Sequence, residues 1–352
     1  MAPRGHDTGL NTDLTADLSA HLSAHLTTDL TWKRLPMSSS VPIPVRVQCM
    51  RVEARNILSV ELAAIDGAAL PAFTPGAHID LHLAPGLTRS YSISSSPDER
   101  DRYVVGVLHD RNSRGGSSYI HQQLRPGQQM LIDPPRNHFE LDASADLSVL
   151  VAGGIGITPI LCMLEHLLRA GKRVALFYAA RSRAEAAFLS RLPADIPPHL
   201  HFDEEQGAAP DLQAYLAAMP ATAHFYCCGP RPMIDAFEAA AKQLNLPHWH
   251  VERFAAKAAE PAAGGAYHVT LAKSGKTLAV PAGAVLLDCL LQAGADVAHS
   301  CREGVCGSCE TRVLSGTPEH RDSVLSQSEQ ASNHCMMVCV SGCLSKELVL
   351  DL

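Results

Sequence analysis

The pattern of apolar and polar positions changes along the chain, and each pattern predicts a different kind of domain. In residues 41–142, short segments in which apolar and polar residues tend to alternate, such as VRVQCMRVEA and RYVVGVLH, are separated by Gly, Pro and Asp turns. Short strands at regular spacing are typical of an antiparallel β-barrel or sandwich. We therefore expect an all-β domain over residues 41–142.

Strands and helices alternate over residues 143–256. LSVLVAGG is a continuous apolar strand, and TPILCMLEHLLRAG (158–171) has helical spacing, with Thr158 as its expected N-cap. Further strands alternate with predicted helices, among them SRAEAAFLSRL (182–192) and RPMIDAFEAAAKQL (231–244). This alternation predicts an α/β domain with a parallel sheet.

The remaining segments differ from both of these domains. Residues 257–265 lie within FAAKAAEPAAGGA, whose Ala, Gly and Pro predict a linker. Residues 266–352 contain a predicted hairpin around Ser274–Gly275, a helix in VLLDCLLQAG and a final strand in KELVLDL, which indicate an α+β domain. Residues 1–40 include TDLTADLSAHLSAHLTTDL, a polar repeat of Leu, and we expect them to be a disordered extension.

Composition and charge argue against several classes of protein. A content of 46% hydrophobic and 18% charged residues is ordinary for a globular protein. The net charge of −7 argues against a general binder of nucleic acid or anionic membranes. No stretch approaches the ~20 apolar residues that cross a bilayer. We expect a cytoplasmic protein with no nucleic-acid or membrane partner.

Eleven cysteines are present, and their spacing indicates a metal centre. Cys301, Cys306 and Cys309 follow the plant-type [2Fe–2S] spacing Cys-x4-Cys-x2-Cys, and 29 residues separate Cys309 from Cys339. Thiolates are soft ligands that suit iron. A structural zinc site is the weaker alternative because only one Cys-x2-Cys occurs. Spacing alone leaves the fourth ligand open, since Cys335 and Cys343 flank Cys339.

Two turns in the α/β domain could bind a nucleotide, and the second of them, Cys228-Gly229-Pro230, follows a late strand and opens a helix. Gly153, Gly154 and Gly156 lie between a strand and a helix, where backbone N–H groups can approach a pyrophosphate. The same glycines could instead serve only to pack strand on helix. Arg181 and Arg183 follow the next strand, where a ribose 2′-hydroxyl or 2′-phosphate would lie.

Two segments of the all-β domain could bind a phosphorylated aromatic group. In TRSYSISSSP, Arg89 offers a planar cation, and Tyr91 offers a ring and a hydroxyl. In RNSRGGSSYIHQQL, residues 115–118 open a predicted helix, which is a ready anion site. Either segment by itself could equally be part of an ordinary strand or helix.

The segment SCREGVCGSCETRVLSGTPEHRDSVLS, followed by MMVCVS, resembles the ferredoxin domain of the phthalate dioxygenase reductase and vanillate O-demethylase reductase family. This family lies within the ferredoxin–NADP reductase superfamily, and the resemblance extends from about Val45 to Leu352. It implies an FMN-binding β-barrel, an NAD-binding α/β domain and a β-grasp ferredoxin domain. It also places the fourth cluster ligand at Cys339.

The resemblance implies a role for each matched residue. Cys228 lies beside the nicotinamide and Phe254 at the flavin ring, and these two are the expected catalytic residues. The residues expected to bind FMN are Arg89, Ser90, Tyr91, Ser92, Val107, Leu108, His109, Gly115, Gly116, Ser117, Ser118, Thr158 and Phe254. Those expected to bind NAD are Gly153, Gly154, Gly156, Cys228, Gly229 and Pro230.

Three such cofactors in one chain predict an electron converter. A nicotinamide gives up two electrons as hydride, an iron–sulfur cluster accepts one at a time, and a flavin can do both. The resemblance implies an NADH-dependent reductase that passes electrons through FMN and a [2Fe–2S] cluster to a separate Rieske-type oxygenase for aromatic-ring hydroxylation or O-demethylation. A pure electron carrier and an iron–sulfur redox sensor are the alternatives.

Overall fold

Alternating apolar residues in the first third of the chain form a six-stranded antiparallel sheet. The computed structural model describes residues 41–194, 196–255 and 265–352. The predicted extension 1–40 and nearly all of the predicted linker lie outside these ranges. The elements of the first domain are β1 (Ile43–Ala54), β2 (Ile57–Ala64), β3 (His78–Ala84), β4 (Leu87–Ser92), β5 (Tyr103–Leu108), α1 (Gly116–Gln122) and β6 (Gln129–Ile132).

The strand order β4-β3-β6-β1-β2-β5 closes into a barrel. A bridge between Ile93 and Val105 joins the end of β4 to β5. Successive side chains on a strand point to opposite faces, so every second residue can face the interior. Val45 and Val47 of β1 and Ile79 and Leu81 of β3 are accordingly fully buried. The predicted antiparallel barrel is confirmed.

The middle of the chain forms a five-stranded sheet in which all paired strands are parallel, in the order β11-β10-β7-β8-β9. This confirms the predicted α/β domain. Its elements are β7 (Leu147–Gly153), α2 (Ile157–Arg169), β8 (Arg173–Ala180), β9 (His199–Phe202), α3 (Asp203–Gln206), α4 (Leu212–Ala217), β10 (His224–Cys228), α5 (Arg231–Gln243) and β11 (Trp249–Glu252).

Two local predictions in this domain are wrong. The helix predicted over residues 182–192 is replaced by two short 3-10 turns, because Phe188 between them adopts a left-handed conformation (φ 59°) that an α-helix does not allow. Helix α2 begins at Ile157 with Gly156 as its N-cap, so Thr158 lies inside the first turn. The Thr158 hydroxyl donates to the carbonyl of Ile155 instead of capping the helix.

The last domain is a mixed sheet packed on one helix. The strand order is β13-β12-β18-β14-β16, in which only the pair β12–β18 is parallel. Its elements are β12 (Tyr267–Leu271), β13 (Thr277–Val280), α6 (Leu286–Gln292), β14 (Glu310–Ser315), β15 (Pro318–Glu319), α7 (Gln327–Ser332), β16 (Cys335–Met337), β17 (Gly342–Cys343) and β18 (Glu347–Leu350). The predicted hairpin, helix and final strand are all present, which confirms the α+β domain.

The barrel packs against the α/β domain over a polar and glycine-lined surface. Arg191 donates to the carbonyl of Ser94 at 2.8 Å, and Arg169 pairs with Asp98 at 3.2 Å. A Cβ at Gly106 of β5 would lie 2.6 Å from the side chain of Thr158, so only glycine allows this close approach. The longest described helices have 13 residues, and none in the described ranges is long and apolar enough to cross a membrane.

Candidate functional site

The four cysteines expected to bind the cluster come together in the last domain. Cys301, Cys306 and Cys309 lie on the loop between α6 and β14, and Cys339 follows β16. All four are buried, with exposed fractions of 8% or less. Their thiols contact each other in pairs, Cys301 with Cys306 and Cys309 with Cys339, and Cys301 also contacts Cys339.

Four adjoining thiols fit a [2Fe–2S] cluster, which four cysteine thiolates hold. Cys343 lies apart from the four thiols, with its Sγ facing the carbonyl of Thr317 at 3.5 Å. Cys335 is partly exposed on β16.

Backbone turns in the cysteine loop aim amide groups at sulfur. The N–H of Glu303 donates to Cys301 Sγ at 3.3 Å, and that of Cys301 to Cys306 Sγ at 3.5 Å. Positive φ angles at Gly304 and Gly307 allow the loop to wrap in this way. Such N–H groups stabilise thiolate ligands and tune the metal they hold.

The two segments predicted to bind FMN meet on the barrel. Arg89 of β4 donates to the carbonyl of Arg114 at 2.7 Å, immediately before the turn at 115–118. A Cβ at Gly116 would lie 2.5 Å from Arg89 Cγ, so the arginine packs directly on the start of α1. The structure therefore places a guanidinium beside the first turn of α1, where the N–H groups of Gly115 and Ser118 donate to the Ser113 hydroxyl at 3.2 Å, and such a cation beside a helix start suits a phosphate.

The other expected FMN residues differ in what their side chains offer. Burial raises the pKa of Tyr91 well above its usual range, so its phenol stays neutral. The Ser90 hydroxyl donates to Asp80, and the Val107 side chain is fully buried in the barrel core. The His109 ring stacks on His121, with ring centroids 4.8 Å apart.

The two turns predicted to bind NAD pack against each other. A Cβ at Gly156 would lie 2.3 Å from the carbonyl oxygen of Cys228, and one at Gly153 would lie 2.6 Å from Pro230 Cδ. These two glycines are therefore required for packing. Gly154 differs, because it has a φ of 52° and nothing lies within 4 Å of where its Cβ would be, so its backbone remains approachable.

Glu252, at the end of β11, joins the expected flavin and nucleotide sides of the site, although no sequence pattern pointed to it. Its carboxylate accepts hydrogen bonds from the Ser92 hydroxyl and from Cys228 Sγ, the latter at 3.7 Å. Burial of the carboxyl group raises the pKa of Glu252 to about 8. The signal available in sequence was only an acidic residue two positions before Phe254, whose side chain is 40% exposed.

Neither Cys228 nor Arg183 is free to act as an isolated charged group. Burial raises the pKa of Cys228 well above its usual range, so its thiol stays neutral and is not a nucleophile. Arg183 pairs with Glu205 at 3.2 Å and stacks on the ring of Phe202 at 4.5 Å. The other arginine of this region, Arg181, is exposed.

Comparisons with known proteins identify the family. A 2Fe-2S iron-sulfur cluster binding domain matches residues 269–343, and a dimethylamine monooxygenase subunit DmmA-like N-terminal domain matches residues 129–251. The chain is 47% identical to phenoxybenzoate dioxygenase subunit beta of Ectopseudomonas oleovorans, over 90% of this chain and 99% of that protein. It is 44% identical to vanillate O-demethylase oxidoreductase of Pseudomonas putida, over 85% and 96%.

The chain belongs to the phthalate dioxygenase reductase and vanillate O-demethylase reductase family. The solved structure of phthalate dioxygenase reductase matches this oxygenase reductase with a TM-score of 0.66 and 35% identity, over 88% of this chain and 98% of that one. An intact type IV self-sufficient cytochrome P450 monooxygenase matches with a TM-score of 0.82 and 36% identity, over 91% of this chain, which spans 43% of that monooxygenase.

The family confirms the predicted enzyme class. This oxygenase reductase is a multidomain oxidoreductase and an electron-transfer component with an iron–sulfur domain. Phthalate dioxygenase reductase transfers electrons from pyridine nucleotides to a [2Fe-2S] cluster, in agreement with the expected nicotinamide donor and iron–sulfur cluster of this chain. The residue assignments and the domain boundaries remain predictions.

Proposed function

We propose that this oxygenase reductase oxidises NADH and delivers single electrons, through FMN and its [2Fe–2S] cluster, to a separate Rieske-type oxygenase that hydroxylates or O-demethylates an aromatic compound. When bound, FMN supplies the conversion between two-electron hydride chemistry and one-electron transfer. A cytoplasmic location is part of the proposal.

The observation that supports this proposal is that strand β4 contacts both the candidate nucleotide site and the candidate cluster site. On one side, the Ser92 hydroxyl reaches Glu252, which in turn contacts Cys228 of the nucleotide domain. On the other side, Ser90 Oγ lies 3.2 Å from Ser300 Oγ, which immediately precedes the first cluster cysteine. A flavin held along β4 would therefore lie between the nicotinamide and the cluster.

Different residues would bind and orient the nucleotide at its site. Cys228, Gly229 and Gly154 would shape the surface on which the nicotinamide and pyrophosphate lie. Glu252 holds a proton on its carboxyl group near neutral pH and so avoids an unpaired negative charge beside the Cys228 thiol. We propose that it positions Ser92, which would contact the flavin, and Cys228, which would contact the nicotinamide, while Phe254 would contact the flavin ring.

On the barrel, Arg89 and the turn at 115–118 would hold the phosphate of FMN, since the guanidinium and the helix N–H groups are adjacent. Tyr91 would contact the flavin as a neutral phenol. In the last domain, Cys301 and Cys306 would bind one iron, and Cys309 and Cys339 the other.

The proposal is tested with the purified protein and the variant Cys306→Ser. We expect flavin peaks over a broad iron–sulfur absorption, bleached by anaerobic NADH. The variant should lose cytochrome c reduction and keep much of the ferricyanide reduction that flavin supports directly. Cys289→Ser, which replaces a half-buried thiol of α6 outside the cluster loop, is the matched control. Wild-type protein without flavin or iron, or a Cys306→Ser variant that still reduces cytochrome c normally, would contradict the proposal.

A haem oxygenase is the second candidate for the electron acceptor. The match to the self-sufficient cytochrome P450 monooxygenase, at a TM-score of 0.82, is the observation that favours it. Reconstitution with a Rieske-type oxygenase and, separately, with a cytochrome P450 distinguishes the two. Faster NADH-dependent turnover with the Rieske protein is expected, and the reverse order would replace the Rieske assignment.

A further inference from the structure

A partly buried polar cluster joins the barrel to the cysteine loop. Asp80 of β3 is only 1% exposed. Its carboxylate accepts hydrogen bonds from Arg136 Nη2 at 2.7 Å, from Ser308 Oγ at 2.8 Å and from the Ser90 hydroxyl. Ser308 belongs to the loop that carries the cluster cysteines, whereas the other three residues belong to the barrel.

The same cluster ends beside a predicted iron ligand. Arg136 Nη2 also donates to Ser308 Oγ at 2.9 Å, and that oxygen lies 3.1 Å from Cys306 Sγ. One loop hydroxyl is thus held by both members of a barrel ion pair. In the described part of the chain, the buried Nε of Arg136 has no hydrogen-bond partner, so Asp80 and Ser308 are the groups that hold this guanidinium.

The position of β3 explains why this contact matters. β3 pairs with β4 in a register that sets Asp80 opposite Ser90 and His78 opposite Ser92. His78 Nε2 also lies 3.0 Å from the carbonyl oxygen of Cys306. The strand next to the proposed flavin strand therefore carries the side chains that contact the cluster loop.

A second polar link between these domains is more exposed. Arg114 contacts the carbonyl of Cys301 at 3.1 Å and Glu303 at 3.1 Å, but its side chain is 51% exposed. Solvent and salt screen such a pair, which therefore contributes little. In the Asp80–Arg136 pair the carboxylate is buried and the Arg136 side chain is 29% exposed, and removing the partner of a buried charge is strongly disruptive. The Asp80–Arg136 pair is consequently the stronger determinant of the loop position.

We propose that Asp80 and Arg136 are positioning residues that hold the cluster loop at a fixed distance from the flavin strand and so set the rate of electron transfer between the two centres. Neither residue touches a reacting atom. This inference rests on the proposed function, since it requires a flavin on β4 and a cluster in the loop.

The test uses the holoenzyme with Asp80→Asn, Arg136→Gln and the double variant. Glu61→Gln, which alters a barrel carboxylate paired with Arg102, is the control. Flavin and iron content, the KM for NADH and ferricyanide reduction should stay within about twofold of wild type. The kcat for cytochrome c reduction, and the flavin-to-cluster rate in stopped flow, should fall well beyond this twofold range, because the rate of electron tunnelling decreases steeply as the distance between two centres grows.

Two further measurements separate positioning from a general structural role. The double variant should be no slower than the slower single variant, because the two residues act as one unit. Arg136→Lys keeps a positive charge beside Asp80 and should recover part of the rate lost in Arg136→Gln.

Wild-type transfer rates in Asp80→Asn and Arg136→Gln would overturn the inference. A changed cluster potential that accounts for the slower rate would also overturn it, because the pair would then act on the electronics of Cys306 and not on distance. If Asp80→Asn loses its cofactors, the electron-transfer rates of Arg136→Gln and Arg136→Lys test the inference instead. A wild-type rate in Arg136→Gln would then overturn it. Absence of flavin, iron or NADH bleaching in the wild-type protein would instead contradict the proposed function.

Discussion

The proton held by Glu252 makes the pH dependence of hydride transfer predictable. Its carboxyl group lies between Cys228 and Ser92, although the residue as a whole is half-buried. Burial raises the pKa of this carboxyl from 4.5 to about 8. The perturbation is Glu252→Gln, which keeps the shape of the neutral acid and cannot ionise.

The size of the effect follows from that pKa. At pH 7, one unit below it, about nine tenths of the carboxyl groups are protonated, and at pH 9 only about one tenth are. If the neutral form is the competent one, the wild-type kcat at pH 9 should be roughly tenfold below its plateau. Glu252→Gln should have a flat profile over the same range, because its amide carries no charge.

The assay is NADH-dependent ferricyanide reduction from about pH 6 to about pH 9.5, with Glu61→Gln as a control that should follow the wild-type curve. A wild-type profile that stays flat through pH 9, or a Glu252→Gln profile that declines like wild type, would refute the reasoning.

The free energy of unfolding should also decrease as the pH rises, as the kcat does. An acid whose pKa is raised on folding contributes stability below its ordinary pKa and loses that contribution as the pH rises through the folded value. We therefore expect wild-type stability to decrease between about pH 4.5 and about pH 8, by at most about 1.4 kcal/mol per pH unit from this group. Urea unfolding at several pH values should show that this decrease is absent in Glu252→Gln.

Glycine-to-alanine substitutions test the close contacts in the cysteine loop and between the two nucleotide turns. Gly307→Ala would place a Cβ 2.2 Å from the ring of His138, so it should lower iron content, whereas Gly275→Ala, with a similar φ and open space, should cost only about 1–2 kcal/mol of stability and keep its iron. Normal iron in Gly307→Ala would contradict this. Gly156→Ala should raise the KM for NADH at least about tenfold by separating the two nucleotide turns, while Gly171→Ala, in open space, should not. Equal KM values in both variants would show that the turns do not need this contact.

Much of the fold was predictable because its signals are local. The alternation of apolar residues, the strand–helix repeat and the cysteine spacing each involve neighbours along the chain. The failures were also local. Residues 182–192 have a composition typical of a helix. Phe188 is instead buried against Gly106 of the barrel and adopts a left-handed conformation, which helix propensity does not predict. The cap assigned to Thr158 failed because the glycine turn before it already leads into the helix.

The sequence by itself predicted three domains and the first three cluster cysteines, because spacing and periodicity are properties of contiguous residues. The resemblance to a known family supplied Cys339 and the segments expected to bind each cofactor. Only the tertiary structure brought Glu252 between Cys228 and Ser92. It also brought Asp80 between Arg136 and Ser308, which are 56 and 228 positions away from Asp80 in the sequence. A carboxylate acquires such a role through burial and through donors supplied by other domains. Neither condition exists until the chain has folded.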